Sequence, residues 1–239
     1  MSAKKTDFIV NDLISKIYQQ HFFNNKLPTQ RDLAVAYDVS RFTIQKAIER
    51  LCSIGLVYTI QGDGIYIREG ALLNPLVYNS ITAVSYRDIK SKMLYLKKRK
   101  ATTELCQIFN LTPDDEIWEF QRVRLVRFEL TQVETGYLPC RLFPDFNQAA
   151  IEDSIQNYVI RKKYKISHFM TSYQATALTK EESDSLNAKK GTPAMSIQSR
   201  GLLKNGTIFI YSRIVAIQYE CTYVVPFNKD VYKTRRTMK

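Results

Sequence analysis

The apolar positions between residues 25 and 68 follow three patterns in quick succession. Leu33, Ala34 and Ala36 cluster behind Pro28-Thr29. Proline disfavours helix at Leu27, and threonine can cap a helix that begins near Gln30, with Asp32 at the positive end of its dipole. Tyr37-Asp38-Val39 reads as a turn. Behind Ser40, a second N-cap, Ile44, Ala47, Ile48 and Leu51 recur at i, i+3, i+4 and i+7, so one face of this helix belongs to a core. The opposite face carries Arg41, Phe42, Gln45, Lys46 and Glu49, with Thr43 beside them. Gly55 is a C-terminal stop, and Leu56–Ile60 and Ile65–Arg68 alternate as short strands around Gln61-Gly62-Asp63-Gly64. Upstream, Phe8, Ile9, Leu13, Ile14 and Ile17 mark a helix from Asp7 to Gln20, with Met1–Thr6 as a frayed end. Three helices and a hairpin in this order predict a winged helix-turn-helix. Cations, an amide and hydroxyls near the start of the third helix (Ser40, Arg41, Thr43, Gln45, Lys46) suit the base edges and phosphates of a major groove.

The period is lost between Glu69 and Ser85, where Gly70, Asn74, Pro75 and Asn79 suggest a linker. From Tyr86 the pattern becomes one of strands separated by short helices. Met93–Leu96 predicts a strand, Thr102 or Thr103 caps a helix to Phe109, and Leu111–Asp115 turns into a strand-rich run over Ile117–Val133. Alternation there puts Trp118, Phe120, Arg122 and Arg124 on one face and Glu119, Gln121, Val123 and Leu125 on the other. Two arginines adjacent on one sheet face suit an anion, or else cross-strand carboxylates. Helices are expected over Asp145–Ile151 and Ser154–Arg161, and a strand over Ile166–Ala177. Thr179-Lys180-Glu181-Glu182 is a capping box for a helix toward Ala188, with Gly191 as its stop. Met195–Leu203 and Ile208–Ile217 flank Asn205-Gly206, a strong hairpin signal, and Tyr219–Val225 would close the sheet. The expected architecture is α+β, with residues 1–70 and 86–239 as domains and 71–85 between them.

A chain of 239 residues with 45% hydrophobic content can bury two cores. No stretch approaches the roughly 20 apolar residues of a membrane span, and no apolar run follows Met1-Ser2-Ala3-Lys4-Lys5. The expectation is a cytoplasmic protein with no membrane partner. Cys52, Cys106, Cys140 and Cys221 are scattered, and with His21 and His168 they form no metal-ligand spacing, so reduced thiols and no metal or cofactor are expected. The net charge of +12 fits a nucleic-acid partner, but it is unevenly placed. Residues 1–70 hold nine Lys or Arg against seven Asp or Glu, while residues 71–239 hold 26 against 16. The surplus gathers at Arg87–Lys100, Arg161–Lys165 and Lys229–Lys239, each of which reads as a phosphate screen or as a solvated face.

Three stretches of the first domain resemble the GntR family of bacterial transcription regulators: LPTQRDLA for that family's LPSERELA, VSRFTIQKAIERL for its VSRxTVRxALxxL, and GDGIYI for its GxGTxV wing. The resemblance implies operator contacts at Arg31, Arg41, Thr43 and Gly62. Gln45 departs from the usual arginine. Arginine favours guanine and glutamine favours adenine, so the family's base preference does not carry over at that position. The second half resembles the UTRA effector domain of the HutC subfamily, which is similar in fold to chorismate lyase. The residues concerned are Arg122-Val123-Arg124, Glu134–Pro139 for E-x-S-x-LP, Asp153-Ser154-Ile155 for a helix start, and the final hairpin. This resemblance implies a mainly antiparallel mixed α/β domain in which Arg122, Arg124 and Ser154 hold the phosphate or carboxylate of a small metabolite. A glutamate in the last long strand that often holds the ligand in relatives falls nearest to Arg213, and Tyr219 is the next candidate beside it.

The expected function is that of a DNA-binding transcription regulator, a repressor in the first instance. It would act as a homodimer on double-stranded operator DNA and respond to a small anionic effector such as a sugar phosphate or carboxylate. Two other readings stay open: an architectural DNA-binding dimer without ligand, and an enzyme related to chorismate lyase. Against the enzyme, the chain shows no Ser-His-Asp arrangement and no glycine-rich phosphate loop.

Overall fold

The computed structural model describes residues 2–71, 76–227, 229, 232 and 233. By contacts the chain divides into two compact units, Met1–Ser85 with Glu220–Lys239, and Tyr86–Tyr219.

In the first unit α1 spans Ser2–Tyr18, so the expected frayed end is helical from Ser2. Strand β1 (Lys26–Leu27) leads into α2 (Gln30–Ala36), whose N-cap Thr29 accepts a hydrogen bond from the Asp32 backbone N–H at 3.2 Å. Asp38 turns the chain at a positive φ of 50°. Ser40 then caps α3 (Arg41–Ser53) by accepting from Thr43 N at 3.2 Å. The stripe Ile44, Ala47, Ile48 and Leu51 is buried against Ile9, Val10, Leu13 and Ile17 of α1 and Leu33 of α2. Gly55, at φ +77°, ends α3 in the left-handed conformation that glycine tolerates. Strands β2 (Val57–Ile60) and β3 (Gly64–Ile67) form the hairpin, and β1 joins it in the order β1-β3-β2.

The stretch that reads as a linker contains a strand, β4 (Leu76–Asn79). It pairs antiparallel with Cys221–Val224, the last strand of the chain, from Leu76↔Val224 to Asn79↔Cys221. The expectation that this last strand closes the large sheet is therefore corrected: it stays with the first unit. Tyr78 is buried there and donates its hydroxyl to Asn11 Oδ1 at 3.1 Å, and Val224 packs on the same core.

The second unit is a six-stranded antiparallel sheet. Its strands are β5 (Ile89–Lys100), β6 (Glu116–Val126), β7 (Glu129–Pro139), β8 (Ile166–Ala177), β9 (Pro193–Leu203) and β10 (Ile208–Ala216), in the order β5-β6-β7-β10-β9-β8. Helices α4 (Thr103–Phe109), α5 (Gln148–Glu152), α6 (Ile155–Arg161) and α7 (Lys180–Leu186) flank it. Strand β11, Cys221–Val224, lies outside this sheet. One face, with Phe120 and Leu138, packs on Phe143, Phe146 and the α5–α6 residues Ala150, Ile151, Ile155 and Val159. The other face meets α7 through Val123, Val133, Val215 and Leu186, and α4 through Leu105, Ile108, Phe109 and Ile117. The capping box at Thr179–Glu182 forms as the pattern predicts. The helix it opens stops earlier than expected, at Asn187 with φ 50°, and Gly191 serves a later turn.

Gly136 stands where the UTRA pattern has serine, and its register explains the choice. It lies opposite Phe120, and a Cβ at Gly136 would sit 2.3 Å from the Phe120 ring. The aromatic ring fills the space that a side chain would take, a close approach that only glycine allows in the strand.

Candidate nucleic-acid interface and effector site

The first candidate surface is built by α2 and α3. Leu33, Ala34 and the α3 stripe face the core, so Arg31, Ser40, Arg41, Gln45 and Lys46 are exposed and Thr43 is half-buried. Arg31, Val35, Asp38, Ser40 and Arg41 line one open groove beside the turn between the helices. The turn therefore brings together the two arginines that lie ten residues apart in sequence. Thr43 Oγ1 lies 2.9 Å from Ser40 Oγ, and Gln45 Nε2 donates to Glu49 Oε1 at 3.0 Å. One Gln45 N–H and its carbonyl oxygen remain for a base edge. Lys46 Nζ stands 4.4 Å above the Phe42 ring.

Gly62 is exposed at the tip of the wing with φ +79° and open space around it. The hairpin beneath is held by a stacked Tyr58–Tyr66 pair, 5.7 Å between centroids. Asp63 accepts from Lys26 Nζ at 2.9 Å and from the Tyr66 hydroxyl at 2.6 Å. These bonds tie the wing to β1 and offset the one acidic charge at its tip.

The second candidate site lies on β6 and β7. Arg122 is buried at 3% exposure and faces Glu134 across the strands. Its Nε and Nη2 each lie 2.7 Å from Glu134 Oε2, and Nη1 donates to the Ile151 carbonyl at 2.6 Å. Burial pushes the Glu134 carboxyl up, but Arg122 and Arg124, with hydrogen bonds from Arg122 and Ser212, hold it below the usual carboxylate range. Arg122 is thus committed within the protein. Arg124 is not: its Nη2 reaches Glu134 only at 3.9 Å, and its buried Nε has no hydrogen-bond partner among the described residues. Burial first, then repulsion from Arg122, lowers the Arg124 pKa to about 10, against the pull of Glu134. It remains a cation at neutral pH.

Near Arg124 stands Tyr86, whose hydroxyl donates to Asp153 Oδ1 at 3.0 Å and also interacts with Ser154 and Arg124. Ser154 caps α6 by accepting from Asn157 N at 3.2 Å. Glu134 thus joins Arg122 to Arg124, and Tyr86 links Arg124 to Ser154; the pattern of residues does not single out Glu134 or Tyr86 as site residues. Arg213 is elsewhere. It pairs in register with Thr135 and hence with Gln121, so it lies on the opposite face from Arg122, where it bridges Glu182 of α7 at 3.1 Å. Tyr219 stacks on Tyr173 of β8, 6.0 Å between centroids. Four strand spacings separate β8 from β6, roughly 19 Å along the sheet, so Tyr219 does not join the arginines.

Parts of the first two cation clusters are taken up in ion pairs. Lys97 and Arg99 contact the buried Glu119 at 2.9 and 2.7 Å, Lys98 contacts Glu116 at 2.7 Å, and Lys100 contacts Asp114 at 3.0 Å. Arg161 and Lys162 face Asp153 and Asp145. Lys229–Lys239 lies outside the described residues apart from 229, 232 and 233. Lys98 and Lys100 sit on exposed carboxylates rather than waiting for phosphates, so Lys98→Gln with Lys100→Gln is expected to leave the salt dependence of DNA binding unchanged. Titration of binding against salt checks this, since each lost phosphate contact would lower the log-log slope by about 0.9.

Two family models match this chain: the gntR family of bacterial regulatory proteins over residues 5–67, and the UTRA domain over residues 85–217. The mannosyl-D-glycerate transport/metabolism system repressor MngR of Escherichia coli (strain K12) is 28% identical over 212 residues, covering 87% of this chain and 84% of its own. The HTH-type transcriptional repressor NagR of Bacillus subtilis (strain 168) is 27% identical over 197 residues, covering 79% and 80%. Among solved structures, that of the possible transcriptional regulator YydK from Bacillus subtilis aligns with a TM-score of 0.57 at 26% identity, over 94% of this chain and 99% of that one. PhnF from Mycobacterium smegmatis shares the fold at 13% identity, with a TM-score of 0.51. The chain belongs to the GntR family of bacterial transcription regulators, in the group that carries a UTRA domain. It is a DNA-binding regulator and not an enzyme, and among its described residues no helix is long and apolar enough to cross a membrane.

Proposed function

We propose that this regulator is a cytoplasmic homodimeric repressor. Its two winged units grip a near-palindromic operator, and its grip changes when a small anionic metabolite binds the second unit. Arg31, Ser40, Arg41, Thr43, Gln45, Lys46 and Gly62 form the DNA surface, with half-sites spaced by one helical turn, about 34–36 Å, or multiples of it. Arg124 and Ser154 form the effector contact, and Arg122 with Glu134 fixes where Arg124 stands.

The observation that carries the effector reading is the buried Nε of Arg124, which has no hydrogen-bond partner among the described residues, on a side chain that interacts with Tyr86, which also reaches Ser154. A buried donor without an acceptor costs free energy, and a phosphate or carboxylate would satisfy it with a charge-assisted bond. MngR is named for a mannosyl-D-glycerate system, and glycerate carries a carboxylate. The effector must bind two conformations of the dimer with different affinity, or it would regulate nothing.

Selection of operator fragments with and without a panel of sugar phosphates and sugar carboxylates tests the whole reading. One member of the panel should also stabilise the fold, by about 2.7 kcal/mol at 100-fold its Kd. If none does, the effector half of the reading fails. For the DNA half, Arg41→Ala is expected to weaken operator binding by about 1–3 kcal/mol while the thermal unfolding of the protein stays put. Unchanged affinity would remove Arg41 from the interface.

A further inference from the structure

Phe42 is the second residue of α3, and 62% of it is exposed. Single apolar side chains are common on protein surfaces, so exposure alone carries no meaning. Its position and its neighbours do. The first turns of a helix docked in the major groove meet base edges. On this face Thr43 is tied to Ser40 and one Gln45 N–H is tied to Glu49. Lys46 Nζ, 4.4 Å from the ring centroid, covers one face of the ring and limits its rotation, while the rest of the ring stays open. Arg41 and Gln45 can hydrogen-bond to bases; neither can match an apolar group. The apolar group that base edges present in the major groove is the C5 methyl of thymine.

We propose that Phe42 is a specificity-determining residue that selects thymine at one position of each half-site by packing its ring on the C5 methyl, with Lys46 holding the ring in place. This rests on the operator reading above and assigns a base to that surface.

The test uses the full chain. Sites are first selected from random duplexes, and each thymine of the selected half-site is then replaced singly by deoxyuridine, which removes the methyl and keeps the hydrogen-bonding edge. At one position uracil is expected to weaken wild-type binding by about fourfold, the factor that one methylene-sized group carries on burial. Phe42→Ala should bind the thymine and uracil duplexes alike at that position, and Phe42→Leu should keep part of the difference. Phe42 is 62% exposed and is not one of the buried core residues, so circular dichroism of both variants should match the wild type. If no uracil position weakens the wild type, or if Phe42→Ala loses as much as the wild type does, the proposal is overturned. A wild type that selects no site at all would instead bring down the operator reading and this one with it.

Discussion

Replacing Glu134 with alanine is expected to destabilise the Tyr86–Tyr219 unit by about 3–5 kcal/mol, the cost of leaving a buried charge without its partner. Among the described residues Arg122, 3% exposed, would keep only the Ile151 carbonyl, and Arg124 would lose the one carboxylate it pairs with. Denaturant unfolding followed by the fluorescence of Trp118, the single tryptophan and a β6 residue in this unit, measures the loss. A double replacement, Arg122→Met with Glu134→Leu, should recover much of it, because apolar groups of similar volume need no mutual neutralisation. A loss as large in the double variant as in the single one would show that the pair is not what stabilises this region. The pH dependence follows from the direction of the Glu134 shift. Its folded-state pKa lies below the ordinary value, so its contribution is complete above the unfolded pKa and is lost as pH falls through the folded one. Stability owed to this group should therefore be level from neutral pH down to about pH 5 and fall only in stronger acid.

The same pair shows where reading a sequence stops. Thr29, Ser40 and Thr179 cap helices as their local patterns predict, and of Thr102 and Thr103 it is Thr102 that caps α4, because a cap is decided within three or four residues. The Ser40 helix and its buried stripe were legible for the same reason. The partners of strands are not local. Arg122 and Arg124 could be placed on one face by alternation, but Glu134 became their counter-charge only through the register of β6 on β7, shifted near Arg124. Arg213 required the register of β10 on β7 as well, and a displacement by one residue moves a side chain to the other face. Strand β11 has the composition of a sheet strand, yet nothing within it says that it pairs with β4, some 140 positions earlier, as the Ser80–Glu220 bonds also show. The charge surplus was visible as a total and misleading as a map, since Lys97, Lys98, Arg99 and Lys100 on β5 pair with Glu116, Glu119 and Asp114.

Arg124→Ala is expected to abolish the response to the effector while leaving operator binding without effector within twofold of wild type. The two activities separate because Arg124 belongs to Tyr86–Tyr219, whereas Arg41 and the wing belong to the other unit. The ligand depends on this residue more than the fold does. Arg122 already neutralises Glu134, so removing Arg124 takes away a cation that burial disfavours and whose Nε has no hydrogen-bond partner among the described residues. The fold should lose little, and relief of repulsion with Arg122 offsets part of the packing lost. The effector, by contrast, must shed water from its own charge and needs a fixed cation to make up that cost. Arg124→Lys distinguishes charge from geometry: an ammonium keeps the charge and lacks the planar fork, so the response should return in part and at higher effector concentration. Operator binding titrated against effector, for wild type and both variants, gives the result directly. A full response from Arg124→Ala at the wild-type effector concentration would make this arginine structural and place the effector contact on other residues of the unit.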